Sequence, residues 1–239
     1  MSRRVLLASG LGSVAALALA ACVPSAGGGA SASGGVAPTG SAAPAPGAST
    51  SPGSDGGPRV MFIRHAEKPA ASGSPYGVQP DGTRDDESLT VQGWTRAGAL
   101  VGLFDPQTPD GASPVRAGLA RPTRIIAADP SKGSRRPAQT VTPLAARRGL
   151  TLETTWKKDD TAALADALRT ATGHVLVSWE HELIPDILGH LGQIDPAPPT
   201  AWPSERFDLV WWLSPSGAGG WSFSQVPQLL LAGDSPAPA

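Results

Sequence analysis

From Arg59 onward the chain alternates short apolar runs with segments whose apolar residues recur three and four positions apart. Val60-Met61-Phe62-Ile63 is an uninterrupted apolar run of strand length and predicts a buried strand. The polar stretch 69–88, with Pro75, Gly77, Pro80 and Gly82, predicts a loop long enough to be functional inside a compact domain. Trp94, Ala97, Leu100, Val101 and Phe104 repeat at helical spacing, so 90–104 reads as a helix with Thr90 placed to cap it. A strand is expected over 123–128, centred on Ile125-Ile126. A helix over 137–147 follows, its proline tolerated in the first turn. Then come a short strand at 150–154 and a helix at 162–171, capped by Asp160 or Thr161 and closed by Gly173. Further on, 174–179 is a strand, and Ile184, Ile187, Leu188 and Leu191 mark a helix that closes at Gly192. Strand 209–213 and one or two strands within 222–231 complete the series. Strands alternating with helices predict an α/β domain with a mostly parallel sheet. The ending, with Gly217, Gly219 and Gly220 between strands, predicts an antiparallel addition. There is no internal repeat.

The residues before 59 have a different character. Arg3-Arg4 precede an apolar stretch over 5–21 that is too short and too weakly apolar for a comfortable membrane span. A charged start followed by an apolar core is the arrangement of a secretory signal. Leu19-Ala20-Ala21-Cys22 resembles a bacterial lipobox, in which the cysteine is lipidated and becomes the mature N-terminus. Cys22 is the only cysteine of the chain, which excludes a disulfide within it. Ser2-Arg3-Arg4-Val5-Leu6-Leu7 also resembles a twin-arginine signal, and the general and twin-arginine export routes both stay open. Residues 23–58 are almost entirely Gly, Ala, Ser, Pro, Thr and Val and cannot bury enough apolar surface to offset the entropy of ordering. The expected organisation is therefore a signal peptide with lipobox over 1–22, a disordered tether over 23–58 and a folded domain over 59–239. A coil of the tether's length spans roughly 30–35 Å. The domain would then stand outside the cytoplasm, touching the membrane only through its lipid.

Twenty acidic residues nearly balance nineteen basic ones, which argues against nucleic acid as a partner. A small anionic substrate needs only local positive charge and is left open. The local charge is found where the first apolar run stops, at Arg64-His65. A buried strand ending there presents an imidazole beside a fixed cation at a sheet edge. Transfer of a phosphoryl group to a side chain needs a nucleophile, cationic donors for the non-bridging oxygens, and an acid for the leaving oxygen. Neutral imidazole is a competent nucleophile at ordinary pH. Guanidinium binds phosphate bidentately, so no metal or other cofactor is required by this chemistry. No Cys/His cluster has zinc spacing, and the acidic residues form no calcium loop.

The string Met61-Phe62-Ile63-Arg64-His65-Ala66-Glu67-Lys68-Pro69 resembles the opening motif of the histidine phosphatase superfamily, the phosphoglycerate-mutase-like enzymes. Three later blocks extend the resemblance. Leu89-Thr90-Val91-Gln92-Gly93-Trp94-Thr95-Arg96-Ala97 is similar to the family's L-T-x-x-G-x-x-R-A element, which is structural; Arg96 is expected to make a packing or surface contact. Arg136-Pro137-Ala138-Gln139-Thr140 is similar to R-A-x-Q-T and aligns Arg136 with a second phosphate clamp at a helix N-terminus, where anions are favoured. Arg135 competes with it, or is a solvated surface residue. Val175 to Pro185 resembles the strand and turn that deliver the second family histidine, here His181, which would be cationic once phosphate is bound. The terminal strand residues Phe207-Asp208-Leu209-Val210-Trp211 also fit, so the resemblance covers about 59–233.

The resemblance implies a three-layer α/β/α fold and a phosphatase that hydrolyses phosphate monoesters through a phosphohistidine on His65. Arg64, Arg136 and His181 would bind the phosphate. For the general acid, Glu182 stands beside His181, with Glu67, Asp81, Asp86 and Glu87 as the alternatives. Two other readings stand beside hydrolysis: a phosphomutase, and a non-catalytic envelope lipoprotein that binds a phosphorylated ligand. His174 and His190 are expected to be structural or surface residues. Specificity is expected from 69–88 and 194–208.

Overall fold

The computed structural model describes residues 59–217 and 219–239. The signal peptide expected over 1–22, with Cys22, and the tether expected over 23–58 lie outside the described residues. In chain order the elements are β1 (Arg59–Arg64), α1 (Val91–Phe104), β2 (Gln107–Thr108), β3 (Gly111–Ala112), β4 (Arg124–Ala127), α2 (Arg136–Arg148), β5 (Leu152–Glu153), α3 (Thr161–Arg169), β6 (His174–Trp179), α4 (Ile184–His190), β7 (Ile194–Asp195), β8 (Leu209–Pro215) and β9 (Trp221–Pro227).

The main sheet runs β5-β4-β6-β1-β8-β9-β7, with β2 and β3 forming a separate two-stranded ribbon. Strands β5, β4, β6 and β1 pair in parallel. β8 joins β1 antiparallel and β9 joins β8 antiparallel, while β7 pairs parallel to β9 at the edge. The sheet is thus mostly parallel with an antiparallel extension, as the sequence pattern predicts.

The alternation of strand side chains builds two cores. Val60 and Phe62 of β1 face a core that includes Leu164 and Leu168 of α3 and Ile184, Ile187 and Leu188 of α4. Met61 and Ile63 face the opposite core, with Leu100, Leu103 and Phe104 of α1 and Val141, Leu144 and Ala145 of α2. One helical layer on each face of the sheet gives the three-layer α/β/α arrangement. Both faces of β1 and β6 are covered, which is why these strands read as continuous apolar runs rather than alternating ones.

Local chemistry sets most boundaries. Thr90 caps α1 by accepting from the Gly93 amide at 3.1 Å. Gly149 ends α2 in the left-handed conformation, φ 63°. Two expectations need correction. Asp160 precedes α3, but its carboxylate accepts from the Lys157 amide at 2.9 Å instead of capping the helix. Gly173 does not close α3, whose C-cap is Thr170; at φ 72° it turns the chain into β6, packed where a Cβ would lie 2.6 Å from Thr123 Oγ1. The stretch 222–231 supplies one strand, within the one or two expected, because beyond Pro227 the amides of Leu230 and Leu231 bond to Asp234 at 2.7 and 3.1 Å instead of to a neighbouring strand.

Candidate active site

Strands β4, β6 and β1 point their carboxyl ends the same way, and the candidate residues collect at that edge of the sheet. The β1–β6 ladder continues one residue past β1, with the His65 amide donating to the Trp179 carbonyl at 3.0 Å. This bond fixes where the His65 side chain leaves the sheet. Two residues beyond Trp179, His181 leaves β6 in the same region.

His65 is buried, and its Nδ1 lies 2.8 Å from the Ala66 carbonyl. A carbonyl oxygen only accepts, so Nδ1 carries the proton and Nε2 keeps its lone pair. Burial, chiefly, with the charges of Arg64, Arg136 and His181, lowers the His65 pKa to about 3, against the opposing effect of the Ala66 bond. The imidazole is therefore neutral at physiological pH. The His181 ring stands edge-on to it, centroids 6.4 Å apart and planes at 86°. Burial, then Arg64, lower the His181 pKa to about 4, with Glu182 and Glu205 opposing. His181 is thus neutral in the free protein, and a bound anion would be needed to make it cationic.

Two guanidinium groups accompany the imidazoles. Arg64 is 1% exposed. Its Nη1 donates to the Ser204 carbonyl, and its Cζ lies 3.8 Å from the Phe207 ring centroid. Its Nε and Nη2 are buried without a hydrogen-bond partner among the described residues. Burial lowers its pKa to about 10, still well above neutrality. Arg136 opens α2, donates from Nη1 to the Asp86 carbonyl at 2.9 Å and also has a buried, unpartnered Nε. The neighbouring Arg135 points to the surface, half exposed and paired with Asp85 at 2.5 Å. Of the two adjacent arginines, the structure therefore brings Arg136 to the site.

The supporting contacts were not read from the sequence as such, although they fall within its motifs. Thr140 Oγ1 accepts from the Ala66 amide at 2.8 Å and donates to the Arg136 carbonyl at 2.7 Å, tying the β1 exit to the start of α2. Gln139 accepts from the Leu89 amide and donates to Ser88 Oγ, both at 2.9 Å. Gly93 lies against the same loop; a Cβ there would be 2.7 Å from the Glu67 carbonyl oxygen. Arg96 is neither a surface residue nor simple packing. It is buried and donates to Glu67 Oε1 at 3.0 Å, Gln228 Oε1 at 3.0 Å and Asp234 Oδ1 at 2.7 Å. Burial of a cation is tolerated here because two carboxylates meet it.

The acid candidates separate by position. Glu182 Oε1 is 3.8 Å from His181 Nε2, and its side chain is 76% exposed. Glu87 Oε2 is 3.6 Å from Arg136 Nη1. Glu67 is held by Arg96. Asp86 faces Arg84 at 3.6 Å on the surface, and Asp81 accepts from the Thr83 amide in an exposed turn. Two hollows adjoin these groups. One, of about 300 Å³, is lined by Arg136, Lys68, Arg84 and Glu87; the other, of about 650 Å³, is lined by Glu182 and residues of α4 and 192–200. His174 and His190 lie outside this cluster, at the start of β6 and the end of α4. Among the described residues no group of three or more His, Cys, Asp or Glu side chains is placed to hold a metal ion.

No protein-family model and no curated protein sequence matches the chain. Solved structures do match it at low identity. They include the protein histidine phosphatase SixA complexed with tungstate, 15% identical over 71% of this chain and 97% of that one, TM-score 0.43. A mycobacterial glucosyl-3-phosphoglycerate phosphatase with inorganic phosphate is 16% identical over 70% and 94%, TM-score 0.40. A mycobacterial hydrolase is 16% identical over 77% and 94%, TM-score 0.38. Likenesses this distant carry no argument about activity, which rests on the site itself.

Proposed function

We propose that this chain is an exported, lipid-anchored phosphatase that hydrolyses small phosphate monoesters through a phosphohistidine on His65. One observation carries the reading. A neutral imidazole with its Nε2 lone pair free sits among buried guanidinium nitrogens, Nε and Nη2 of Arg64 and Nε of Arg136, that have no partner among the described residues. Unpaired buried donors are costly, and an oxyanion satisfies them.

In the proposed reaction His65 Nε2 attacks phosphorus. The N–P bond forms as the bond to the leaving oxygen breaks, and that oxygen takes a proton from Glu182. Water then attacks phosphorus, loses its proton to the carboxylate and releases inorganic phosphate as the N–P bond breaks. Arg64 and Arg136 hold the non-bridging oxygens, and His181 donates to the charge that develops on them.

Rapid quenching of the full chain with a radiolabelled aryl phosphate tests this. An acid-labile phosphoenzyme is expected in the wild type and not in His65→Ala. Absence of label in the wild type, or equal label in both, would refute it. Isomerisation of a phosphate ester, with the phosphoryl group moved to another hydroxyl of the same compound and no inorganic phosphate released, would identify a mutase. The exposure of Glu182 favours a second reading, a phosphorylated-ligand binder without turnover; ester binding by calorimetry with only background hydrolysis would select it. The lipid anchor is tested by labelling cells with radioactive palmitate, expected on the wild type and lost in Cys22→Ala.

A further inference from the structure

We propose that Phe207 is a positioning residue that, with the Ser204 carbonyl, sets the edge from which Arg64 grips the phosphoryl group; this rests on the phosphate-binding reading of the site. A guanidinium has two edges able to make paired hydrogen bonds with an oxyanion: one formed by its two Nη atoms, the other by Nε and Nη2. The Ser204 carbonyl accepts from Nη1, an atom of the first edge, and so competes there with an anion. Nε and Nη2, the two atoms of the second edge, are buried and unpartnered. Phe207 covers the guanidinium, with Cζ 3.8 Å from its ring centroid. A ring at that distance attracts the cation through its quadrupole and prevents rotation toward that side. The same ring lies 6.3 Å from the His65 ring, so one side chain borders both the nucleophile and the clamp.

The segment that carries these groups is anchored on both sides. Trp202 is buried, stacks on Trp211 at 4.7 Å and donates from its indole to the Arg206 carbonyl at 2.7 Å. Asp208 is buried and accepts from Arg206 Nε at 2.6 Å and from the Ser235 amide at 2.7 Å. Phe207 therefore presses on Arg64 from a fixed base. Part of the stretch 194–208, from which specificity is expected, thus also holds the groups that orient a clamp.

The test is a double-mutant cycle in the full chain, with inorganic phosphate affinity measured by calorimetry, kcat and KM measured with an aryl phosphate, and melting midpoints recorded alongside. Phe207→Leu removes the quadrupole but keeps an apolar side chain, and is expected to weaken phosphate binding and lower kcat/KM about 5- to 10-fold. Phe207→Tyr keeps the ring and is expected to restore both to within about twofold. In the Arg64→Ala background, Phe207→Leu is expected to change phosphate affinity by less than about twofold, because the group it orients is gone. Equal losses in both backgrounds, no loss in the Arg64 background, or failure of Tyr to rescue would overturn the proposal. If phosphate binding follows the expected cycle while no ester is hydrolysed, the positioning role stands and the phosphatase reading falls. If the wild type binds no phosphate, both fall.

Discussion

The amide of Ala66 donates to Thr140 Oγ1 at 2.8 Å, and this bond joins the exit of β1 to the helix that begins at Arg136. The same hydroxyl donates to the Arg136 carbonyl, so one side chain registers two parts of the site against each other. Thr140→Val keeps the shape and removes the acceptor, leaving the Ala66 amide buried and unpaired. A loss of about 1–3 kcal/mol in stability is expected, with kcat reduced about 10- to 100-fold as His65 and Arg136 lose register. Thr140→Ser should keep both near wild type. Thermal denaturation and steady-state kinetics measure the two effects; equal behaviour of Val and Ser would show that the bond does not matter.

The pH dependence of the reaction follows from the neutral His65. Its pKa in the folded protein is lowered to about 3, and only the neutral ring can attack. The acid limb of kcat/KM set by His65 is therefore expected well below the ordinary histidine value of about 6.5. Stability has the matching sign. Because the folded pKa is depressed, the His65 contribution is complete above about 6.5 and is lost as pH falls toward the folded value, the unfolded chain taking up the proton first. Melting midpoints of wild type and His65→Asn between pH 7 and pH 4 should converge as the pH falls; parallel curves would contradict the assignment.

Arg96 joins Glu67, which stands two residues after His65, to Asp234 near the end of the chain. Removing the guanidinium leaves two carboxylates in a buried site. Arg96→Met is expected to destabilise by about 3–5 kcal/mol. Burial pushes the Asp234 pKa up, but the bonds from Arg96 and from the Leu231 and Leu230 amides outweigh it and hold the value below the usual carboxylate range. That stabilisation is present above the ordinary carboxylate pKa and is lost as pH falls through the depressed one. The gap between wild type and Arg96→Met in urea unfolding should therefore narrow in acid.

Two glycines of α1 are expected to respond oppositely to alanine. At Gly93 a Cβ would lie 2.7 Å from the Glu67 carbonyl oxygen and 3.1 Å from its amide nitrogen. Gly93→Ala must displace the backbone just past His65, costing about 1–3 kcal/mol and activity with it. At Gly98 nothing lies within 4 Å of the added carbon, and Gly98→Ala should stabilise by about 0.5–1 kcal/mol without touching kcat. Melting midpoints and kinetics for the pair decide the matter.

Element order, the strand-end positions of Arg64, His65 and His181, and the helix-start position of Arg136 were legible in the residues, because apolar period, capping and glycine placement act within a few positions of the chain. Strand β7 and the β2–β3 ribbon were not, since they lie among Pro, Gly and polar residues that read as loop. Asp160 takes the N-cap position of α3, one of the two read for it, but its carboxylate turns to a competing amide only three residues away.

The sequence by itself determined a mostly parallel α/β sheet and the kinds of side chain that end its strands. The tertiary structure alone decided which of Arg135 and Arg136 turns inward, that Arg96 is an ionic hub, and which edge of Arg64 stays free. The partners concerned, Ser204 for Arg64 and Asp234 for Arg96, stand 140 and 138 positions away in the chain. Contacts of that separation are set by how the layers pack, and no local pattern of hydrophobic and polar residues encodes them.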